Sequence, residues 1–106
     1  MKVSAKREQA LRKALLALLP YAPYEDFTSM LEAAKVPNFR ALPPTATAWL
    51  AAIAYIRHRH SDYDELLDEG YERDAARFFV VGQINAKLTE WRATRLLMAD
   101  SDEFEA

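Results

Sequence analysis

Apolar residues recur every three or four positions along most of this chain, which is the spacing of one face of an α-helix. The first such segment begins at Ser4, a good N-terminal cap, and runs to about Leu19, where Pro20 ends it. The second segment runs from about residue 24 to 34, and the prolines around residues 36–42 disfavour helix there. Two helices are therefore predicted in the first third of the chain.

The third predicted helix, from about Thr45 to His60, has the most apolar pattern in the chain. Pro44 suits its first turn, and residues 46–56 are apolar on every side apart from Thr47. A helix that is apolar all round has to be enclosed by other elements. This helix is therefore predicted to be the centre of the domain.

Two further helices are predicted after residue 60. Ser61 and Asp64 have the spacing of a capping box for a short fourth helix, which Gly70 would end. The last helix is predicted to begin near Glu72 or Arg73 and to run at least to Trp91, or as far as Met98.

The last helix carries two apolar stripes. The main stripe consists of Ala76, Val80, Ile84, Leu88 and Trp91, and a second stripe contains Phe78, Val81 and Asn85. Two stripes need two surfaces to pack against. The favoured interpretation is that this helix is deeply embedded in its own domain, and the alternative is that Phe78, Val81 and Asn85 form a homodimer interface.

These patterns together predict an all-α fold with no strand-like alternation. The expected architecture is a compact orthogonal bundle of four main helices plus a short one, with a long C-terminal helix. The 106 residues suit one domain. Residues 99–106 are predicted to be an acidic, disordered tail.

Composition narrows the available chemistry. The chain has no cysteine, which excludes disulfides, thiolate nucleophiles and cysteine-ligated zinc. No cofactor motif is found, so no cofactor is predicted, and no stretch has the roughly 20 apolar residues of a membrane span. A soluble, cytoplasmic protein that does not contact membranes is expected.

Charge is distributed unevenly along the chain, although its formal net value is only −2. Residues 1–13 have a net charge of +4, and residues 62–74 have a net charge of −6. The basic first helix, with Arg40, Arg57, Arg59, Arg92 and Arg95, makes nucleic-acid binding an alternative function. Solvated charged faces are the favoured interpretation, because nearby carboxylates repel phosphates.

Residues 57–77 form a polar stretch between two apolar helices, and we call its candidate residues the polar junction. Its members are Arg57, His58, His60, Tyr63, Asp64, Arg73 and Arg77. Basic side chains at the end of one helix and carboxylates at the start of the next both favour the helix dipoles. The favoured interpretation is a structural clasp between three helices, in which Arg73 and Arg77 reach back to the carboxylates.

A metal site or a hydrolytic site at His58, His60 and Asp64 is the less favoured interpretation of the polar junction. Two residues along a helix correspond to about 200° of rotation, so His58 and His60 should point in different directions. Neither a nucleophile with an orienting partner nor a phosphate-binding glycine loop accompanies them. No catalytic residue and no metal ligand is therefore predicted.

The same stretch resembles the domain of unknown function 2293 family over roughly residues 42–92. The pattern that carries the resemblance is Arg-His-x-His-Ser-x-Tyr-Asp-x-Leu-Leu-x-x-Gly, which begins at Arg57 and ends at Gly70. The resemblance implies a small uncharacterised domain without an established activity. The function predicted is a non-catalytic protein-interaction module that forms a homodimer or binds another protein.

Overall fold

The computed structural model describes residues 3–98, which form six α-helices and one 3₁₀ turn. The helices are α1 Ala5–Leu18, α2 Tyr24–Ala34, α3 Pro44–Arg59, α4 Tyr63–Asp68, α5 Arg73–Phe79 and α6 Val81–Glu90, and the 3₁₀ turn is Pro37–Phe39. The all-α prediction is confirmed. The tail predicted for residues 99–106 lies outside the described residues.

Helix α1 begins as its sequence predicts. Ser4 is the N-terminal cap, and its hydroxyl accepts a hydrogen bond from the Arg7 N–H at 3.1 Å. This bond satisfies one of the backbone donors that a helix start leaves without a helical partner. Leu11 and Leu15 are buried on the inner face of α1, and Leu19 is buried just after it.

Helix α3 is the centre of the domain, as predicted. Six apolar side chains of this helix are buried, and it packs against α1, α2, α4 and α6. Thr47, the polar exception in the pattern, is also buried, and its hydroxyl accepts a hydrogen bond from the Arg7 guanidinium at 3.2 Å. The enclosed position of α3 explains why its sequence has no polar face.

The prediction of a long C-terminal helix is wrong. The chain leaves the helical conformation at Val80, with φ −100° and ψ 4°, and this residue separates α5 from α6. Val80, Val81 and Gly82 have low helix propensities, which makes a break inexpensive here. The main stripe from Ala76 to Trp91 is nevertheless buried, because both short helices direct it into the core.

The C-terminal helix also ends earlier than Met98. Arg92 has a left-handed conformation with φ 58°, and the Ala93 N–H donates to the Leu88 carbonyl at 2.9 Å. This is the hydrogen bond of a Schellman cap, formed here without glycine. The chain then turns back along the core, and the Thr94 N–H donates to the Leu18 carbonyl at 3.1 Å.

The break at Val80 separates the members of the second stripe. Phe78 is 62% exposed on α5, whereas Val81 and Asn85 are half-buried on α6. The Asn85 side-chain amide pairs with the backbone of Leu97, donating to its carbonyl at 2.9 Å and accepting from its N–H at 2.7 Å. Asn85 therefore holds the C-terminal segment against α6.

Within residues 3–98, none of the helices is both long enough and apolar enough to cross a bilayer.

Candidate functional site

The two histidines of the polar junction point to different carboxylates. The His58 Nδ1 atom lies 2.7 Å from Oδ1 of Asp64, and the His60 Nε2 atom lies 2.8 Å from Oδ1 of Asp26. An ionised carboxylate can only accept, so each imidazole donates. The divergence expected from helical spacing is confirmed, and His60 is directed towards α2 rather than α4.

Asp26, Tyr55 and His60 form a half-buried contact that we call the Asp26 network. The Tyr55 hydroxyl donates to Oδ1 of Asp26 at 2.7 Å, and the same oxygen accepts from His60. The His60 ring also contacts the ring of the buried Trp91, with centroids 5.3 Å apart. The network therefore connects α2 and α3 to the residue that follows α6.

The electrostatics of the Asp26 network favour an ionised carboxylate. Burial acts to raise the pKa of Asp26, but the hydrogen bonds from Tyr55 and His60 outweigh it, and the pKa is lowered from its ordinary value. Conversely, burial and the neighbouring Asp26 charge raise the pKa of the Tyr55 hydroxyl. Tyr55 is therefore held as a protonated donor to a charged acceptor.

Tyr63 is a core anchor at the start of α4. Its side chain is 4% exposed, with the Arg57 guanidinium 5.7 Å from the ring centroid and the His58 ring 5.4 Å away. A guanidinium over an aromatic face is a favourable cation–π geometry. Tyr63, Arg57 and His58 therefore form a packed unit between α3 and α4.

The predicted capping box at Ser61 is wrong. Asp62 is the N-terminal cap residue of α4, and Ser61 instead donates to the Arg57 carbonyl and accepts from the Tyr63 N–H at 3.2 Å. Gln83 of α6 pairs with this cap residue, because its side-chain oxygen accepts from the Asp62 backbone N–H and its amide donates to the Asp62 carboxylate, each at 2.8 Å. A side chain distant in the sequence therefore ties the start of α4 to α6.

Arg73 and Arg77 lie on α5. Arg73 is the exposed first residue of this helix, and Arg77 is half-buried in its last turn. The suggestion that both arginines reach back to the carboxylates of α4 stays a prediction.

The geometry does not assemble a metal site from the residues considered. Among residues 3–98, no group of three or more His, Asp or Glu side chains is placed to hold a metal ion. His58 pairs with Asp64, and His60 pairs with Asp26 on another helix. His60 is therefore directed away from the His58–Asp64 pair, so the three side chains of the metal hypothesis do not meet at one point.

The sequence patterns do not single out Asp26, Tyr55 or Gln83. Asp26 lies in the first turn of α2, where an acidic residue is expected for the helix dipole alone. Tyr55 lies within the apolar run of residues 46–56 that predicts α3. The only available signal was that a Tyr hydroxyl and a His next to a core need a buried acceptor, which the local sequence does not provide.

An exposed aromatic surface lies beside the polar junction. It consists of Tyr71, Phe78 and Phe79, whose exposed fractions are 44%, 62% and 57%. The centroid of the Phe79 ring lies 5.6 Å from that of Tyr71 and 5.9 Å from that of Phe78. The three rings therefore form one continuous patch.

Gly70 places Tyr71 in the aromatic surface. It ends α4 with φ 103°, as its sequence position predicts, and the Tyr71 N–H donates to the Leu66 carbonyl at 3.1 Å. This Schellman turn reverses the chain at the end of α4. The Tyr71 ring thereby contacts the ring of Phe79, which is the last residue of α5.

The basic first helix is only partly available to a ligand. Arg7 turns inward, where its guanidinium donates to the Phe39 carbonyl at 2.9 Å and to Thr47. Arg12 is exposed and lies 3.5 Å from Glu8. Lys6 and Lys13 are exposed.

The fold and the site define a small all-α domain in which a central helix is enclosed by its neighbours and three aromatic rings form an exposed surface. The chain belongs to the family described as uncharacterised conserved protein (DUF2293), whose model matches residues 14–92. This match begins earlier than the resemblance seen in the sequence, and it includes Asp26 and the rest of α2. No curated protein and no solved structure matches the chain.

Proposed function

We propose that this chain is a non-catalytic protein-interaction domain that self-associates through its aromatic surface. The observation that carries the proposal is the continuous exposure of Tyr71, Phe78 and Phe79. Contiguous exposed apolar patches are uncommon on monomeric proteins, and aromatic residues are enriched at the centres of interfaces. Burial of these rings against a partner would remove them from water.

This surface keeps one member of the interface predicted from the sequence. Phe78 is the most exposed of Phe78, Val81 and Asn85, and the latter two are half-buried in the chain itself. The Phe79 ring contacts the Phe78 ring, and the Tyr71 ring contacts the Phe79 ring, so these two residues extend the patch. The proposed interface is therefore centred on α5 rather than on the start of α6.

The arrangement of the Asp26 network supports a non-catalytic assignment. In a nucleophilic triad the imidazole stands between a carboxylate and a nucleophile. Here the carboxylate is in the middle, because Tyr55 and His60 both donate to Oδ1 of Asp26. Such a contact orients α2, α3 and Trp91, and it offers no activated hydroxyl.

Sedimentation velocity over a range of protein concentrations tests the proposal. We expect the wild-type chain to self-associate, and we expect Phe78→Ser with Phe79→Ser to remain monomeric. Tyr24→Ser is the matched control, because Tyr24 is 82% exposed and lies outside the aromatic surface. A wild-type chain that stays monomeric at every concentration, or a double variant that associates normally, would contradict the proposal.

Nucleic-acid binding is the second candidate, and the exposure of Lys6, Arg12 and Lys13 on one helix favours it. Binding through these residues would weaken as salt rises, because it would release counterions from the phosphates. Fluorescence anisotropy with labelled duplex DNA and single-stranded RNA at low salt tests this function. No change in anisotropy would remove it.

A cytoplasmic location stays a prediction, which microscopy of the fluorescently tagged chain would check.

A further inference from the structure

Two exposed faces of this chain have opposite charges, and we propose that the acidic one docks on the basic one of a second copy. The acidic face consists of the α4 residues Asp64, Glu65, Asp68 and Glu69, and it continues into the aromatic surface. The basic face consists of the α1 residues Lys6, Arg12, Lys13, Leu16 and Ala17. This inference rests on the proposed self-association and names the surfaces that meet.

The basic face combines charge with exposed apolar area on one helix. Positions 6, 13 and 17 are separated by seven and four residues and therefore lie on one side of α1, and Leu16 is 55% exposed beside them. Leu11 and Leu15 occupy the opposite, buried side. At 1.5 Å per residue the 14 residues of α1 span about 21 Å, which is long enough for both a charged and an apolar contact.

The acidic face, like the basic face, combines exposed charged groups with neighbouring apolar groups. Its four carboxylates are exposed, and the Schellman turn at Gly70 leads directly from them to Tyr71 of the aromatic surface. A hydrogen bond to the Asp62 carboxylate, together with repulsion from Asp62, Glu69 and Asp64, raises the pKa of Glu65. A cationic partner would relieve this repulsion.

Charge complementarity identifies the partner as another copy docked head to tail. A two-fold symmetric contact through the aromatic surfaces would place two acidic faces beside each other, and like charges across an interface are unfavourable. Docking on α1 instead places carboxylates near Lys6, Arg12 and Lys13, and places the aromatic rings near Leu16. The contact therefore joins two different surfaces of the same chain.

A head-to-tail contact has a consequence for assembly size. When two copies dock in this way, one of them retains an unused basic face and the other retains an unused acidic face. Further copies can therefore add, so the assemblies are rings or open chains that grow with concentration. Because the contact depends on exposed charges, added salt should weaken it.

Charge reversal of each face provides the test. One variant carries Lys6→Glu, Arg12→Glu and Lys13→Glu, and the other carries Glu65→Lys, Asp68→Lys and Glu69→Lys. Asp64 is left unchanged, because it pairs with His58. Each variant alone presents two faces of like charge, so we expect both to sediment as monomers, and we expect an equimolar mixture to associate.

A matched control separates docking from general attraction between oppositely charged chains. Phe78→Ser and Phe79→Ser are added to both charge-reversed variants, which leaves the charges of the mixture unchanged. The mixture should then fail to associate, because the apolar part of the contact is lost. Circular dichroism of each variant confirms that it remains helical.

The possible outcomes distinguish this proposal from the proposed function. If serine at positions 78 and 79 abolishes association while neither charge reversal affects it, the aromatic surface is an interface and docking on α1 is wrong. A wild-type chain that never associates contradicts both. If reversal of the basic face removes only nucleic-acid binding and leaves association unchanged, the basic face is a nucleic-acid site and this proposal is wrong.

Discussion

The Asp26 network and the aromatic surface place polar and apolar groups in opposite ways. In the Asp26 network, polar groups are half-buried and satisfy one another across helices far apart in the sequence. In the aromatic surface, apolar rings are exposed and contact one another within a short segment. The first region uses its polar groups inside the domain, and the second leaves its apolar rings exposed.

Because of this difference, stability and binding can be tested separately in this chain. A half-buried polar group that loses its partner keeps the cost of its lost hydration, so disrupting the Asp26 network should destabilise the fold. Truncation of an exposed ring should change the stability of the isolated domain very little. Mutations in the Asp26 network should therefore change stability, and mutations in the aromatic surface should change self-association.

The largest effect is expected from Asp26→Ala. Loss of the carboxylate leaves Tyr55 and His60 without their shared acceptor, and we expect the free energy of unfolding at neutral pH to fall by about 2 kcal/mol. Urea denaturation followed by circular dichroism measures this change. Glu25→Ala is the matched control, because it removes an exposed carboxylate from the same first turn of α2. Equal losses from both variants would show that the network contributes nothing beyond helix-dipole charge.

The same variant has a pH dependence of known sign. The pKa of Asp26 is lower in the folded chain than its ordinary value, so its contribution is present above about pH 4 and is lost as pH falls through the folded-state pKa. The stability difference between wild type and Asp26→Ala should therefore shrink in acid. A difference that stays constant from neutral pH to pH 3 would contradict an ionised Asp26.

The next largest effect is expected at Gly70, which precedes Tyr71 of the aromatic surface. Its φ of 103° is strained for any other residue, so Gly70→Ala should lower the free energy of unfolding by about 1–2 kcal/mol, although a Cβ would meet no atom within 4 Å. Gly82 in the first turn of α6 is the matched control, and Gly82→Ala should raise stability by about 0.5 kcal/mol. Thermal denaturation of both variants should show shifts of opposite sign.

A smaller effect on stability is expected from Phe78→Ala. Its ring is 62% exposed, so the free energy of unfolding should change by less than about 0.5 kcal/mol. Self-association measured by sedimentation should fall. A loss as large as that of Asp26→Ala would mean that Phe78 is a core residue of the single chain, and the comparison between the two regions would fail.

The smallest effect is expected from Glu65→Gln, which should slightly raise the melting temperature at neutral pH. The raised pKa of Glu65 means that the folded chain favours its protonated form, so its ionisation destabilises the fold as pH rises through that pKa. The neutral amide removes this repulsion from Asp62. The gain should vanish below about pH 4, where the wild-type carboxyl is also neutral. A lower melting temperature at neutral pH would be the contrary result.

Much of the fold follows from local patterns. The cap at Ser4, the enclosed third helix, the turn at Gly70 and the buried stripe from Ala76 to Trp91 all depend on residues within a few positions of one another. The divergence of His58 and His60 follows from the geometry of a single helix. Each of these features could therefore be predicted from short segments.

The errors lie where distant segments compete with local preference. An uninterrupted stripe favoured one long helix, but packing α5 against α4 and α6 against α3 requires two directions, and the chain turns at Val80. Ser61 has the type and spacing of a cap, yet Gln83 bonds to Asp62 from α6. Neither outcome could be read from the neighbouring sequence, because each depends on contacts with other helices.

The helical class, the core stripes and the separation of basic and acidic segments follow from the sequence, since these depend on residue type and on a period of 3.6. Only the folded structure brings Asp26 to His60 across 34 positions. It also leaves the rings of Phe78 and Phe79 exposed while the next residue, Val80, is buried. The physical reason is that helical periodicity tells which side chains share a face. Only packing decides which face meets another helix and which faces water.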